Sequence, residues 1–135
     1  MTTTRAAMTY ATALNRNELY ESPGLRRDIP KVLHPEEEVL LALPGVAGDF
    51  PFVMIVTDSR FILARVAGIF KGSKISRQVP LAEVVGVRYR PWLFAMMKVD
   101  TASRRAFRMM PQNNADAERF ARDLEHLIQF GSLPA

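Results

Sequence analysis

The sequence predicts a mainly β fold: a seven-stranded antiparallel barrel capped by a C-terminal α-helix, with a short helical N-terminal extension. Three observations carry this expectation. Phe52-Val53-Met54-Ile55-Val56-Thr57 and Arg60-Phe61-Ile62-Leu63-Ala64-Arg65-Val66 are apolar, β-branched runs parted only by Asp58-Ser59, the pattern of a β-hairpin. Further short runs follow as far as Met110 with brief connections, which favours a sheet that meanders and curls on itself. After Asn113 the apolar period changes to that of a helix, with Ala117, Phe120, Ala121, Leu124, Leu127 and Ile128 on one stripe.

Taken in order, residues 1–31 read as an extension, 32–131 as the folded domain and 132–135 as a tail. Ala7, Tyr10, Ala11 and Leu14 have helical spacing, but the stripe is narrow and Asn15-Arg16-Asn17 interrupts it, so a short helix or a disordered arm is expected. Ser22-Pro23-Gly24 breaks the chain direction. Leu25 to Leu33 then supplies one or two helical turns, limited by Pro30, whose apolar residues should pack on the mouth or edge of the barrel. Val39 to Leu43 is the first strand, and Pro44 to Pro51, with two prolines and two glycines, reads as a loop.

In the central hairpin the Asp58 side chain is expected to close the turn by bonding its own backbone two residues on. Gly68 to Gly72 is a turn with an apolar tip, followed by a strand from Ser73 to Val79 with Ile75 and Val79 on one face. Pro80 ends it, and Leu81-Ala82-Glu83-Val84 leads into a strand where Val85, Val87 and Tyr89 alternate with Gly86, Arg88 and Arg90. Leu93 to Val99 and Arg105 to Met110 pair across Asp100 to Arg104. Asn113 can cap the final helix, with Asp116 three residues on, and Gly131 ends it.

Composition narrows the function classes. A chain of 135 residues, 48% apolar and 24% charged, is the size and make-up of one globular domain. Without cysteine there is no disulfide, thiolate nucleophile or Cys-ligated metal. No apolar run nears the length of a membrane span, and Met1-Thr2-Thr3-Thr4-Arg5 lacks the pattern of a secretory signal, so a cytoplasmic location, peripheral at the inner membrane at most, is expected. His34-Pro35-Glu36-Glu37-Glu38 invites a metal or acid–base reading. However, the single histidine has no partner at ligand spacing, and adjacent loop carboxylates ordinarily face water. No catalytic residue, metal ligand or cofactor site is expected, and no small-molecule substrate is evident.

Charge is segregated along the chain. Residues 1–58 carry 5 basic and 8 acidic side chains and residues 110–135 carry 2 and 4, whereas residues 59–109 carry 11 basic residues against only Glu83 and Asp100. One sign of charge on one segment points to an anionic partner, unless it serves only to solvate strand faces and protect edges.

Glu36-Glu37-Glu38-Val39 entering the first strand, Val56 to Ile62 across the central turn, Leu81-Ala82-Glu83-Val84 and the Phe120 to Ile128 helix together resemble the bacterial pleckstrin-homology-like (PH-like) domains. The likeness extends to the YokE-like and GRAM-type groups and spans about Val32 to Phe130. It implies a noncatalytic binding or assembly module. It does not imply phosphoinositide binding, which in PH domains uses Lys and Arg around the first hairpin loop. Here Pro44 to Pro51 has no basic residue and contains Asp49.

The candidate binding residues fall in three groups. Phe70, Lys71 and Lys74 form an apolar tip with lysines, suited to an anionic membrane surface. Arg77, Arg88, Arg90, Arg105 and Arg108, with Lys98, form a basic strand set; nucleic acid fits it poorly because only Tyr89 and Trp92 are placed to stack on bases. Trp92, Phe94, Met96 and Met109 lie in the last hairpin, where Met96-Met97 and Met109-Met110 should each send one side chain inward and one outward. The first functional reading is protein binding or self-assembly through that hairpin, with the basic strands steering an acidic partner. The alternative is anionic-lipid or nucleic-acid binding through the basic patch.

Overall fold

The seven strands are β1 (Val39–Ala47), β2 (Phe50–Thr57), β3 (Arg60–Arg65), β4 (Lys74–Pro80), β5 (Val84–Arg90), β6 (Met96–Thr101) and β7 (Phe107–Pro111). In the computed structural model, which describes residues 4–17, 23–48, 50–66, 74–91 and 95–134, they form one curled antiparallel sheet ordered β4-β3-β2-β1-β7-β6-β5. Helices α1 (Arg5–Asn15) and α2 (Pro23–Arg27) precede the sheet, and α3 (Asn114–Phe130) follows it. The expected turn at Gly68 to Gly72 and the start of the sixth strand at Leu93 lie outside the described residues.

The central hairpin is apolar on both faces because both are buried. Met54, Val56, Phe61 and Leu63 point inward, to a cluster with Leu43, Met97, Val99, Phe107, Met109 and the α3 residues Phe120 and Leu124. Val53, Ile55, Ile62 and Ala64 point outward, to a second cluster with Ala6, Tyr10, Ala13, Leu14, Leu25 and Ile29. Alternation over two covered faces yields the continuous apolar runs seen in the sequence. The described part of the extension is therefore helical and lies over the outer face of β1 to β3, with Leu25, Ile29 and Leu33 joining that layer next to the β4 edge. Thr4 caps α1, and the Tyr10 hydroxyl donates to the Leu25 carbonyl at 2.7 Å, with burial pushing its phenol pKa up. Asn17 donates to the Ala42 carbonyl at 2.8 Å and Arg16 pairs with the buried Asp123 of α3 at 3.1 Å.

Several local expectations change. Pro44 to Ala47 is strand rather than loop, and Gly48 follows it at φ 62°. Gly45 makes this geometry available, since a Cβ there would lie 2.4 Å from the Met110 carbonyl oxygen, at the corner where β7 joins β1. The central turn is held by Thr57, whose hydroxyl accepts from the Ser59 and Arg60 amides at 3.1 and 3.0 Å. Asp58 instead accepts from the Glu38 amide at 3.3 Å. Ile75 and Val79 lie on opposite faces, because Leu63 pairs with Arg77 but Ala64 with Ile75, a bulge that inverts the alternation. A second bulge between Val84 and Gly86 turns Val85 to solvent, leaving Val84, Val87 and Tyr89 toward the core. The capping of α3 is as expected: the Asn113 side chain accepts from the Asp116 amide at 2.9 Å, and Gly131 is left-handed.

Glu37 does not face water. Arg60 grips its carboxylate with two bonds of 2.8 and 2.7 Å, the His34 amide adds a third at 2.9 Å, and Gln78 takes the remaining arm of the guanidinium at 2.5 Å. Burial alone would raise the Glu37 pKa, but the Arg60, His34 and Thr57 hydrogen bonds and the Arg60 charge outweigh it and bring it down to about 2.

Two outcomes follow. Gly45→Val forces a side chain into backbone that cannot yield, so urea denaturation should show a loss of about 3 kcal/mol, at the upper end for overpacking. A carboxylate more acidic in the folded than the unfolded chain contributes stability in full above its unfolded pKa of 4.5, and this is lost as pH falls toward 2. Between pH 5 and 2 the Glu37 contribution, about 3 kcal/mol, should vanish. Glu37→Gln, less stable at neutral pH, should show a correspondingly flatter acid limb in denaturation curves.

Candidate binding face

Among the described residues, no helix covers the outer side of β5, β6 and β7. Inward alternation places Met97, Val99, Phe107 and Met109 in the core, which leaves Arg88, Arg90, Met96, Lys98, Asp100, Arg108 and Met110 on the other face. In register, Arg88 stands opposite Lys98, and Lys98 opposite Arg108. Three cations thus sit in one row across three strands, at the interstrand spacing of about 4.8 Å. Like charges placed directly opposite one another destabilise a sheet. Asp100 relieves Arg88, at 3.2 and 3.3 Å, but Arg90, Lys98 and Arg108 have no ion pair among the described residues. Edge protection accounts for Arg88 at most, since β5 is a free edge, whereas Lys98 of β6 and Arg108 of β7 stand on interior strands. An open groove of about 610 Å³ runs over this face, lined by Arg88, Tyr89, Arg90, Pro91, Met96, Lys98 and Arg108.

The structure brings together Arg88, Arg90, Met96 and Arg108 of the expected residues and separates the others. Met109 is 1% exposed and belongs to the core; its neighbour Met110 is the outward member of that pair, 38% exposed. Arg77 lies on the inner side of β4, 4.1 Å over the Phe107 ring, and donates to the Ala106 and Arg105 carbonyls at 3.1 and 2.6 Å. Its role is to tie the β4 edge to the chain entering β7, and burial, then Arg105 and Arg104, lower its pKa. Arg105 precedes β7 and offers that carbonyl, outside the row. Lys74 is exposed on β4, beside Arg65, away from this face. Trp92, Phe94, Phe70 and Lys71 lie outside the described residues.

Tyr89 and Pro91 line the groove and Met110 shares its face; of these the sequence singles out only Tyr89 as a candidate contact, placed to stack on bases. The alternation of β5 was the available signal for Tyr89, whose hydroxyl bonds Asn114 at the start of α3. Burial, and then Glu118, raise its pKa. Among the described residues, no helix is long and apolar enough to cross a membrane.

Comparison with known proteins bears on the fold and the family. No curated protein matches the sequence. Among solved structures, the chain is similar to the crystal structure of N-terminally truncated linker-DH/PH domains of p115-RhoGEF, with a TM-score of 0.60 at 10% identity. That similarity covers 96% of this chain and 41% of the other, so it supports the fold alone. The family model described as bacterial PH domain matches residues 33–125, from the turn before β1 into α3. With the curled seven-stranded sheet and its C-terminal helix already in place, that match means that the chain belongs to the bacterial PH domain family.

Proposed function

We propose that this chain is a noncatalytic protein-binding module that docks an acidic partner on the outer face of β5 to β7. PH domains are generally binding modules, which agrees with a site made of a row of cations and an open groove. The single observation that carries the reading is the cross-strand register of Arg88 on the edge strand β5 with Lys98 and Arg108 on the interior strands β6 and β7, on a face that no described helix covers. Such a row costs stability in the free protein and is relieved by an anionic surface. Self-assembly through the same face is disfavoured, since a two-fold dimer would set one row of cations against the other.

Labelled poly-L-glutamate tests the reading. Fluorescence anisotropy should show binding that weakens steeply from low to physiological ionic strength. Lys98→Glu combined with Arg108→Glu should weaken it by about tenfold at low salt, as expected for the loss of two exposed charge contacts. Arg122→Glu, an equal kind of change on the exposed side of α3, should have little effect. Binding that ignores salt, or that Arg122→Glu weakens as much as the double variant, overturns the proposal.

A further inference from the structure

Beside the cations runs a second row of different chemistry. One alternation step along the strands from Lys98 and Arg108 stand Met96 and Met110, with Arg90 paired to Met96 at one end and Val46 of β1 paired to Met110 at the other. The rows are about 6.7 Å apart, two residues of an extended strand. Met96 is half-buried and Met110 is 38% exposed, so the second row is an apolar strip open to solvent beside the charge. Methionine is a common lining of binding surfaces that accept varied side chains, because its thioether is flexible and polarizable.

We infer that the partner presents an acidic polypeptide segment in which carboxylates alternate with apolar side chains at two-residue intervals on one face. This rests on the docking face proposed above and adds to it the chemistry of the occupant. Phosphate groups or a nucleic-acid backbone would satisfy the cations and leave Met96, Met110 and Val46 facing water. An extended segment aligned with β6 sets a carboxylate near Lys98 and, two residues away, an apolar side chain on Met96. The aliphatic stems of Arg88, Arg90 and Arg108 add apolar surface to the same groove while their guanidinium groups reach the carboxylates.

Two labelled peptides of equal length and carboxylate number separate the possibilities, one of repeating Glu-Ser-Leu-Ser and one of repeating Glu-Ser-Ser-Ser, with inorganic tripolyphosphate and phosphatidylserine vesicles as competitors. The leucine peptide should bind about fivefold more tightly than its serine counterpart. Met110→Gln, at an exposed site, should remove most of that advantage, whereas Lys98→Glu with Arg108→Glu should weaken both peptides. An unchanged thermal transition for Met110→Gln shows that the fold is intact, and Val46→Thr provides a second probe of the strip. If both peptides bind equally through the cations, this inference fails while the docking face stands. Binding of neither peptide removes the docking face as well. Tripolyphosphate or vesicles that displace the leucine peptide at lower anion concentration than the serine peptide does would also overturn the acidic-segment assignment.

Discussion

The constraint on which the structure depends is that β2 and β3 are apolar on both sides and must be covered on both. Val53, Met54, Ile55, Val56, Phe61, Ile62 and Ala64 are each fully buried. A single sheet offers such a hairpin only one interior. The curl of the sheet and α3 close over the inward residues, and the outward residues need a second layer, supplied by α1, α2 and the turn at Ile29–Val32. The family match begins at residue 33, yet the preceding helices complete a core that the matched segment cannot close alone. Their attachment is also polar and specific: Arg16 reaches Asp123, and Arg119 reaches Asn17, so the extension is tied to α3 as well as to the sheet.

A curled sheet also has to be held in its curvature, and three devices do this at separate places. Gly45 lets β7 approach β1 closely enough to turn the corner. The bulges in β4 and β5 add local twist next to the two free edges of the sheet. Arg77 then reaches from β4 to the carbonyls just before β7 and stacks on Phe107, so one cation closes part of the opening that backbone pairing leaves. Near the central turn, Glu37, Arg60 and Gln78 fasten the chain before β1 to β3 and β4. The hydrogen bonds are nearly complete, as a buried pair requires if it is to offset its own desolvation.

Much of this was legible in the sequence, and the exceptions have a common cause. The central hairpin, the seven-strand count, the final helix and its Asn113 cap follow from patterns that local chemistry imposes. What escaped depends on residues far apart in the chain. Pro44-Gly45 reads as a loop until β7 is known to pass over Gly45. Arg77 shares the face of Val79 by plain alternation, yet reads as a surface cation until Phe107 and the Arg105 and Ala106 carbonyls, far along the chain, are brought against it. Glu37 looks solvated until Arg60, 23 residues later, is brought against it. The same holds for the candidate face: Arg88, Arg90, Lys98 and Arg108 were recognisable as a basic set, but the row of Arg88, Lys98 and Arg108 depends on register, which the turns set and composition does not.

The two halves of the outer sheet surface differ in a way that links fold to function. Over β1 to β3 the outward residues are Val, Ile and Ala, and the N-terminal helices lie on them. Over β5 to β7 the outward residues include Arg, Lys and Met beside Asp100, and no described helix lies there. Covering the second half with an apolar helix would strip water from four cations with only Asp100 to compensate, a cost of several kcal/mol for each ion so buried. The intramolecular cover therefore ends where the charge begins. In the proposed reading, a partner that brings its own carboxylates offsets that desolvation cost with ion pairs, so the composition that keeps an apolar helix off this face would also favour an acidic partner for it.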